Sequence, residues 1–425
     1  MNTPFAKGHD PDTLDAALLA PPAERDAAFR AIRLTGRMKL ASPRFGVQPP
    51  PVGFGDYPAD DSAQAAAELI ELALLARELD TPWRSMNEAV QRRGNPLDGL
   101  GGILQGPTRP NSLFRSEEQA SPEPYVSQLL LLPVPMGAML AEQRYRLRTG
   151  VYGVTAETQA AMLRGAPIES QSFGAEVYIN TPRAMASAMH VDPPYLMGLH
   201  SMLILDQLRV PRSSLFPPLP AEAGFTDYGG PASAQCLLAE ASDEAFYDCW
   251  ALKWGGPRRA RPEELLARQE VLHPLWHERG APLLAPWGGR LPLPIAEGSP
   301  MHPAWPSGHS VTAAAEAVVM MATYQDRPWP LTPIQARPDG MSLIPASSST
   351  LTVHGELRRF AWNKGFSGRG ALGVHYRSDV TDGLMVGQAA AVRVLRQRKA
   401  EADRLGLAPW GTTTFTGFGG MLITI

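Results

Sequence analysis

The sequence predicts a mainly α-helical protein, a helical bundle made of two packed helical halves. Apolar residues recur at helical spacing along much of the 425-residue chain, and several of these segments begin at residues that cap helices or end at Gly and Pro. No two segments alternate apolar and polar residues in a way that predicts a pair of β-strands. The apolar content of 44% is enough for a large hydrophobic core.

The first part of the chain is predicted as an arm followed by a helical half. Residues 1–60 are rich in Pro and Gly and predict an extended arm that lies on the body or on another subunit. Residues 61–230 form the predicted N-terminal helical half, which opens with a helix over 63–79 that Asp61 and Ser62 can cap. Irregular structure is expected over 84–123, where Gly and Pro are frequent. Further helical segments are predicted over 125–139, 141–148, 155–164, 182–189 and 194–208, before a Pro/Gly-rich connection over 211–231.

The second helical half is predicted over residues 231–425. A long helix over 232–254 ends at Gly255-Gly256-Pro257, the residue types that stop helices. Pro262 stands where a new helix would begin, with acidic residues in its first turn. Three more helices are predicted, starting near Ser307, over 346–362 and over 378–399.

Charge and cysteine content exclude several classes of function. The net charge of −3 and the absence of a Lys/Arg block argue against a nucleic-acid partner. The N-terminus shows no signal peptide, and the most apolar window, 129–140, is short and broken by prolines, so we expect a soluble protein without a membrane partner, cytoplasmic or exported by an unrecognised route. Cys236 and Cys249 would lie about 20 Å apart on one helix, which favours two buried thiols over a disulfide.

The segment from His302 to His309, HPAWPSGH, predicts a helix N-terminus that can hold an oxyanion. Pro306 ends the preceding segment, Ser307 can cap the helix, and Gly308 has no Cβ to keep an anion off the backbone. On its own, the segment also fits an ordinary Ser-capped helix with two incidental histidines.

Two other segments supply the remaining groups that an oxyanion site needs. One is Lys253-x7-Arg261-Pro262, and the other is Arg369-x5-His375, followed by Asp379. An anion with up to three negative charges needs several fixed cationic donors if it is to be held without water. Two histidines could then act on opposite sides of it, one bonding to the central atom and the other moving protons.

These three motifs resemble the superfamily shared by vanadium-dependent haloperoxidases and the phosphatases related to class A acid phosphatases and phosphatidic acid phosphatases. The eight-position step from Lys253 to Arg261 is similar to that of the algal and cyanobacterial bromoperoxidases. The likeness extends to residues 114–128 and 182–205, and so to most of the chain from about residue 60.

The resemblance implies a vanadate cofactor. It implies that His375 bonds to vanadium and that His309 is the acid/base partner. The groups that would hold the equatorial oxygens are Lys253, Arg261, Ser307, Gly308 and Arg369. Vanadate would activate hydrogen peroxide as a Lewis acid, so that a halide ion is oxidised to hypohalous acid, which halogenates a small organic acceptor. The resemblance also implies a homo-oligomer, a dimer or larger.

Four further residues are candidates for roles around this site. His302 stands where the resembling bromoperoxidases carry His and fungal chloroperoxidases carry Phe, which favours bromide, and we count it among the catalytic candidates with His309 and Lys253. Trp250 lies one turn before Lys253 and either shares its face of the pocket or fills the core. Asp379 could orient His375 or Arg369, or simply occupy a helix first turn, and Asp192 could be the buried partner of an active-site arginine.

Two alternatives remain open at this stage. The same residues would serve a soluble acid phosphatase in which His375 is phosphorylated and His309 protonates the leaving group. A non-catalytic phosphate-binding protein or scaffold could also keep the fold. His273 and His277, four positions apart, match no part of the signature and predict a solvated face.

Overall fold

The computed structural model describes residues 21, 57–106, 112–116, 123–163, 165, 170–216, 231–255, 258–347, 350–406 and 410–425. Helices dominate this part of the chain, and its strands are short and pair only two at a time. The predicted mainly α, helical-bundle fold is therefore confirmed. The arm expected over residues 1–60 lies almost entirely outside the described residues. Among the helices described, none combines the length and apolar character needed to cross a bilayer.

The α-helices of the described residues are numbered here in chain order. In the first half they are α1 (Ala63–Arg77), α2 (Met86–Arg93), α3 (Gly101–Leu104), α4 (Ala156–Leu163), α5 (Pro182–Ala188) and α6 (Leu196–Gln207). In the second half they are α7 (Pro231–Gly255), α8 (Pro262–Leu266), α9 (Ala281–Leu284), α10 (Gly308–Thr323), α11 (Val353–Trp362) and α12 (Arg377–Leu405). Single 3₁₀ turns lie at Trp83–Ser85, Gln128–Leu130, Gln269–Val271, Ala285–Trp287 and Phe418–Gly420, and π-helical turns at Trp276–Gly280 and Asn363–Ser367.

Four two-stranded antiparallel ribbons complete the described structure. The strands are β1 (Val134–Met136), β2 (Met139–Ala141), β3 (Tyr145–Thr149), β4 (Ser172–Val177), β5 (Ile334–Ala336), β6 (Leu343–Pro345), β7 (Thr414–Thr416) and β8 (Leu422–Thr424). They pair as β1–β2, β3–β4, β5–β6 and β7–β8.

Helix α10 is the centre of the bundle. It packs against α7, α11 and α12, and α7 in turn packs against α12. Every residue of α10 except His309 is buried, which its sequence of Ala, Val and Met allows because no face has to meet water. The buried core continues from α1 through α7 and α10 to α12, and so includes residues of both predicted halves. The division into residues 61–230 and 231–425 stays a prediction.

The helix boundaries follow the capping chemistry of the sequence in several places. The Ser62 side chain accepts a hydrogen bond from the Ala65 N–H at 3.1 Å and starts α1. The Ser307 side chain caps α10 in the same way. Helix α12 runs six residues beyond the predicted end at residue 399 and stops before Gly406, whose φ of 63° suits a residue without a Cβ.

The helices predicted over 125–139 and 141–148 are wrong, because this region forms a 3₁₀ turn and strands β1 to β3. Pro133 and Pro135 cannot donate helical hydrogen bonds, and Gly137, with φ +62°, allows the tight turn between β1 and β2. In β3, Tyr145-Arg-Leu-Arg-Thr149 alternates in the strand period, and Arg146 and Arg148 lie over the Phe173 ring of β4.

Three smaller expectations also need correction. The helix predicted over 346–362 begins only at Val353, because Thr352 caps it by accepting from the Gly355 N–H at 3.0 Å. The region 84–123 contains α2 and α3 besides its irregular parts. Both cysteines lie on α7 as free thiols, but only Cys249 is buried, whereas Cys236 is exposed.

The contact between α10 and α12 depends on a glycine, and this gives a stability prediction. A Cβ on Gly387 of α12 would lie 1.9 Å from the Val311 carbonyl oxygen of α10. We expect Gly387→Ala to push the two helices apart and to lower the free energy of unfolding by about 1–3 kcal/mol, measured by denaturant unfolding. The control is Gly102→Ala, where a Cβ meets nothing within 4 Å and little change is expected. Equal stabilities of the two variants would contradict this account of the α10–α12 contact.

Candidate active site

The N-terminus of α10 opens the site. The Ser307 hydroxyl accepts from the Ser310 N–H at 3.4 Å, and the Ser307 N–H donates to the Asp379 carbonyl oxygen of α12 at 2.8 Å. His309 follows in the first turn, and its side chain is 26% exposed, so this end of α10 is open to small molecules. Gly308 is buried, although a Cβ there would make only ordinary contacts with Phe246 and Cys249 at 3.8 and 3.9 Å.

Arg261 connects the three motifs physically. It precedes α8, where Pro262 starts the helix and leaves the Arg261 side chain directed at the two other segments. Its guanidinium donates to the His302 carbonyl oxygen at 3.0 Å and to the Val374 carbonyl oxygen at 2.6 Å. It also lies 3.0 Å from His302 Nδ1 and 3.1 Å from His375 Nε2.

Lys253 and Arg369 bring two further buried cations to the same place. Lys253 Nζ donates to the carbonyl oxygens of Pro303 and Ala304, at 2.6 and 3.1 Å. Arg369 Nη1 donates to the Met189 and His190 carbonyl oxygens, at 3.1 and 3.4 Å. Carbonyl oxygens orient these cations but carry no charge that would neutralise them.

Burial lowers the pKa values of all three cations in this region. Burial, together with the charges of Arg261 and Arg369, lowers the pKa of Lys253 to about 7. Burial also lowers the pKa values of Arg261 and Arg369 to about 10. The Nε of Arg369 is buried and, among the described residues, has no hydrogen-bond acceptor. A multiply charged oxyanion would supply both the missing acceptor and the missing negative charge.

His375 is held as a neutral imidazole whose Nε2 is unprotonated. Its Nδ1 lies 3.0 Å from Asp379 Oδ2, and because a carboxylate only accepts, Nδ1 carries the hydrogen and Nε2 keeps its lone pair. Burial, followed by the charges of Arg261, Lys253 and Arg369, holds the pKa of His375 well below its usual range. The sequence left two partners open for Asp379, His375 and Arg369. In the structure, the Asp379 side chain contacts His375.

Asp379 is in turn neutralised by Arg259, a residue that the sequence reasoning missed. Arg259 lies 2.8 Å from Asp379 Oδ1 and 2.8 Å from Glu68 Oε2 of α1, and all three side chains are buried. Its guanidinium also lies over the Tyr376 ring, 3.6 Å from the centroid. Arg259 therefore takes up the negative charge of Asp379, which would otherwise cancel part of the positive charge around His375.

His309 pairs with Asp192. His309 Nε2 lies 2.6 Å from Asp192 Oδ1, and Asp192 Oδ2 lies 3.2 Å from Lys364 Nζ. The sequence reasoning expected an arginine as the partner of Asp192, and this is corrected to a histidine and a lysine. Burial raises the pKa of Asp192, but His309, Lys364 and Arg369 together outweigh it and hold that pKa below the ordinary value.

His302 and Trp250 form one wall of the site. The Trp250 ring meets the His302 ring edge-on, with centroids 5.1 Å apart, and it also stacks on Trp254. Burial and the charges of Lys253 and Arg261 hold the pKa of His302 well below its usual range, so it is neutral. Trp250 thus contacts a site residue, as its position one turn before Lys253 suggested.

All the predicted site residues lie in or around one region. Contacts and electrostatic coupling join the following set: Lys253, Arg261, His302, Ser307, Gly308, His309, Arg369 and His375, with Trp250, Asp192 and Asp379 beside them. Their roles in a reaction stay predictions. His273 and His277 lie elsewhere, and no group of three His, Cys, Asp or Glu side chains in the described ranges could hold a bare metal ion.

Besides Arg259, the residues that the sequence reasoning missed are Glu68, Glu316 and Lys364. The two acids had a signal. Glu316 is the one charged residue of its buried helix, and Glu68 lies with Glu71 in an otherwise apolar stretch that is also buried. A buried acid in such a helix requires a cationic partner. The partner itself carried no signal, because surface and buried lysines look alike in a sequence.

Comparison with known protein families agrees with this geometry. The family model described as the VCPO second helical-bundle domain matches residues 241–403. The chain is 28% identical to the vanadium-dependent bromoperoxidase of Ascophyllum nodosum, over 88% of this chain and 74% of that protein. It is 29% identical to the vanadium-dependent bromoperoxidase of Corallina officinalis, over 56% of this chain but only 45% of that protein.

A solved structure shows the same fold over the whole chain. It is the homohexameric second vanadate-dependent bromoperoxidase of Ascophyllum nodosum, with a TM-score of 0.83. The alignment covers 100% of this chain and 84% of that one, at 23% sequence identity. At this identity, the likeness shows that the two proteins share a fold.

The surplus of positive charge predicts oxyanion binding. We expect inorganic phosphate to raise the melting temperature of the protein, because an anion bound only by the folded state stabilises it. Replacing Arg369 with Met should weaken phosphate binding by at least about tenfold, since one charge-assisted hydrogen bond contributes about 1.5–3 kcal/mol. The control is Arg396→Met, because Arg396 is exposed and donates to the Thr424 carbonyl oxygen away from the site. Equal responses of wild type and both variants in calorimetric titrations would rule out the region around Lys253, Arg261 and Arg369 as the phosphate-binding site.

Proposed function

We propose that the chain is a vanadium-dependent haloperoxidase that binds vanadate and oxidises bromide with hydrogen peroxide to hypobromous acid, which then halogenates an organic acceptor. The observation that carries the proposal is the cage formed by Lys253, Arg261 and Arg369 around the neutral His375. The relatives described above are bromoperoxidases, and nothing in those comparisons favours the phosphatase alternative.

The donor set of the cage fits vanadate. Three cations, the Ser307 hydroxyl and the Gly308 N–H at a helix N-terminus suit the oxygens of a multiply charged oxyanion. A bare divalent metal ion would instead need converging carboxylates. Within the described residues, the only carboxylate in contact with His375 is that of Asp379, which is already paired with Arg259. When bound, vanadate would supply the Lewis acidity that activates peroxide towards a halide.

In this proposal His375 provides the protein's bond to vanadium. Asp379 fixes the ring by accepting from Nδ1–H, which leaves the Nε2 lone pair directed at the cage beside Arg261. The depressed pKa of His375 keeps this lone pair unprotonated in neutral and mildly acidic solution. Arg259 completes the arrangement by holding Asp379 from its other oxygen.

His309 is the proposed acid/base residue. Burial and the adjacent Arg369 charge lower its pKa to about 4, even though Asp192 acts in the opposite direction. It is therefore neutral above pH 5 and able to take a proton. Because Nε2 faces the Asp192 carboxylate, the tautomer with the hydrogen on Nε2 is favoured, and Nδ1 is the nitrogen that receives the proton. His309 can accept the proton that peroxide loses and return it to the leaving hydroxide.

His302 and Trp250 support bromide as the halide. His302 is hydrogen-bonded to Arg261 through its carbonyl oxygen and contacts the guanidinium through Nδ1. The neutral imidazole against the Trp250 indole gives one wall of the cage an uncharged, polarisable surface beside the cations. We propose that this wall receives the halide.

The decisive experiment measures bromide-dependent consumption of hydrogen peroxide after incubation with vanadate, together with bromination of a phenolic dye. We expect activity that requires both vanadate and bromide. Replacing His309 with Ala should lower kcat by about 10²–10⁴-fold while the protein still binds vanadate, because His309 moves protons and does not hold the anion. The control His277→Ala removes an exposed imidazole and should have no effect. A protein that stays inactive between pH 4 and 8 after vanadate loading would refute the proposal, as would hydrolysis of a nitrophenyl phosphate that vanadate inhibits.

We also propose that the chain forms a homo-oligomer. The structurally similar bromoperoxidase is a homohexamer, and the β1–β2 ribbon exposes the apolar side chains of Met139 and Leu140, 63% and 61% accessible. We expect light scattering after size-exclusion chromatography to give a mass at least twice that of one chain. A single-chain mass at micromolar concentration would contradict this.

A further inference from the structure

Two titratable side chains lie on the same face of α10. Glu316 follows His309 by seven residues, two helical turns, so the two are separated by about 10 Å along the helix axis. Both are bonded to groups outside α10. His309 pairs with Asp192, whereas Glu316 accepts from Lys364 Nζ at 2.8 Å.

Lys364 joins these two pairs. Its ammonium group lies 3.2 Å from Asp192 Oδ2 and donates to the Pro194 carbonyl oxygen at 3.0 Å, besides its bond to Glu316. The ammonium group thus donates two hydrogen bonds, to Glu316 and Pro194, and forms an ion pair with Asp192. The side chains of Lys364, Glu316 and Asp192 are 2% exposed or less. The result is a continuous buried chain from Glu316 through Lys364 and Asp192 to His309.

The backbone around Lys364 is shaped for this contact. Lys364 lies in the π-helical turn Asn363–Ser367, where one extra residue per turn directs the side chain towards α10. Gly365 allows the approach, because a Cβ there would lie 2.8 Å from Ser310 Oγ. Gly198 of α6 does the same on the other side, since its Cβ would lie 2.7 Å from Glu316 Oε2.

Lys364 also holds the segment that carries Asp192. Between α5 and α6, residues 189–195 form a loop whose side chains Val191 and Tyr195 are exposed, 77% and 44%. Two cations clamp this loop from inside, because Arg369 bonds to the Met189 carbonyl oxygen and Lys364 bonds to that of Pro194. Without Lys364, the Asp192 carboxylate would lose the cation that lies against its Oδ2.

We infer that Lys364, anchored on Glu316, is a positioning residue that fixes Asp192 against His309 Nε2 and so leaves Nδ1 as the proton acceptor. This inference rests on the proposed function for the role of His309 in turnover, but not for the contacts themselves. Lys364 does not touch the cage. It acts on the reaction only through Asp192.

The charges that face His309 determine what the loss of Lys364 does. They come from Asp192 on the loop, Arg369 before α12 and Lys364 on the π-helical turn, and Tyr145 of β3 is coupled to Asp192. Lys364 and Arg369 disfavour protonation of His309, and Asp192 favours it. Removal of the Lys364 charge alone therefore makes His309 easier to protonate.

The test uses three variants and one matched control. Lys364→Met removes the charge, and Lys364→Arg keeps it. The double variant Lys364→Met/Glu316→Gln also removes the acid, so that no buried carboxylate of α10 is left without its cation. Burial raises the pKa of Glu316 to about 7, and Gln copies the protonated form present where His309 titrates. The control Lys399→Met deletes a lysine that pairs with Asp403 on the surface of α12.

The first readout needs no activity. We expect NMR of histidine labelled at its ring nitrogens, in the vanadate-free protein, to show neutral His309 as the Nε2–H tautomer in the wild type. Lys364→Met and the double variant should show a mixture of both tautomers, because Asp192 is no longer held against Nε2. Lys364→Arg and Lys399→Met should keep the wild-type tautomer. If Lys364→Met does not fold, the double variant gives the same answer.

The second readout is turnover in the vanadate-loaded enzyme. We expect kcat to fall by about 10–100-fold in Lys364→Met, with unchanged KM for bromide and with partial recovery in Lys364→Arg. An unchanged His309 tautomer in both Met variants would overturn the inference. If the wild type lacks haloperoxidase activity while the tautomer still changes, the proposed function fails and the positioning role of Lys364 stands.

Discussion

The structure depends on keeping three cations in its interior without neutralising them. A buried charge costs several kcal/mol unless it is paired, and the depressed pKa values of Lys253, Arg261 and Arg369 express that cost. The protein places carbonyl oxygens against these side chains, which fix their direction but leave their charge. A site of this kind favours an oxyanion with several negative charges, because only such a ligand supplies at once the charge and the acceptors that the cations lack.

The carboxylates near the cage are paired with cations outside it, so they leave most of its positive charge in place. Asp379 reaches His375 with one oxygen and Arg259 with the other, and Arg259 is shared with Glu68 of α1. Asp192 similarly lies between His309 and Lys364. Each imidazole therefore faces a carboxylate that favours one tautomer, and each carboxylate contacts a cation with its other oxygen. The two histidines remain neutral for the same reason, because the cage cations and burial disfavour their protonation.

Helix boundaries that depend on neighbouring residues could be predicted from the sequence, whereas elements that depend on contacts across the fold could not. The cap at Ser307, the start of α8 at Pro262 and the end of α7 near Gly255 are fixed by the residues themselves. Strands β1 to β4 were missed, because a short ribbon gains its stability from the partner strand and from packing on α5 and α6. Cys236 was misplaced because exposure on a helix depends on which face meets the rest of the bundle.

The sequence by itself determined the inventory of the site and the order of its elements, because residue types at fixed short separations already state which charges and nitrogens are present. Three motifs, 253–261, 302–309 and 369–379, were enough to predict a cationic oxyanion site with two histidines. Only the tertiary structure decided which carboxylate contacts each histidine and which cation pairs with that carboxylate. Arg259, Lys364 and Glu316 lie far along the chain from the side chains they affect, and nothing in the local sequence distinguishes a buried charge from a solvated one until the helices pack. Burial makes the difference, because the same lysine that contributes little at the surface becomes a strong constraint where water cannot compete for it.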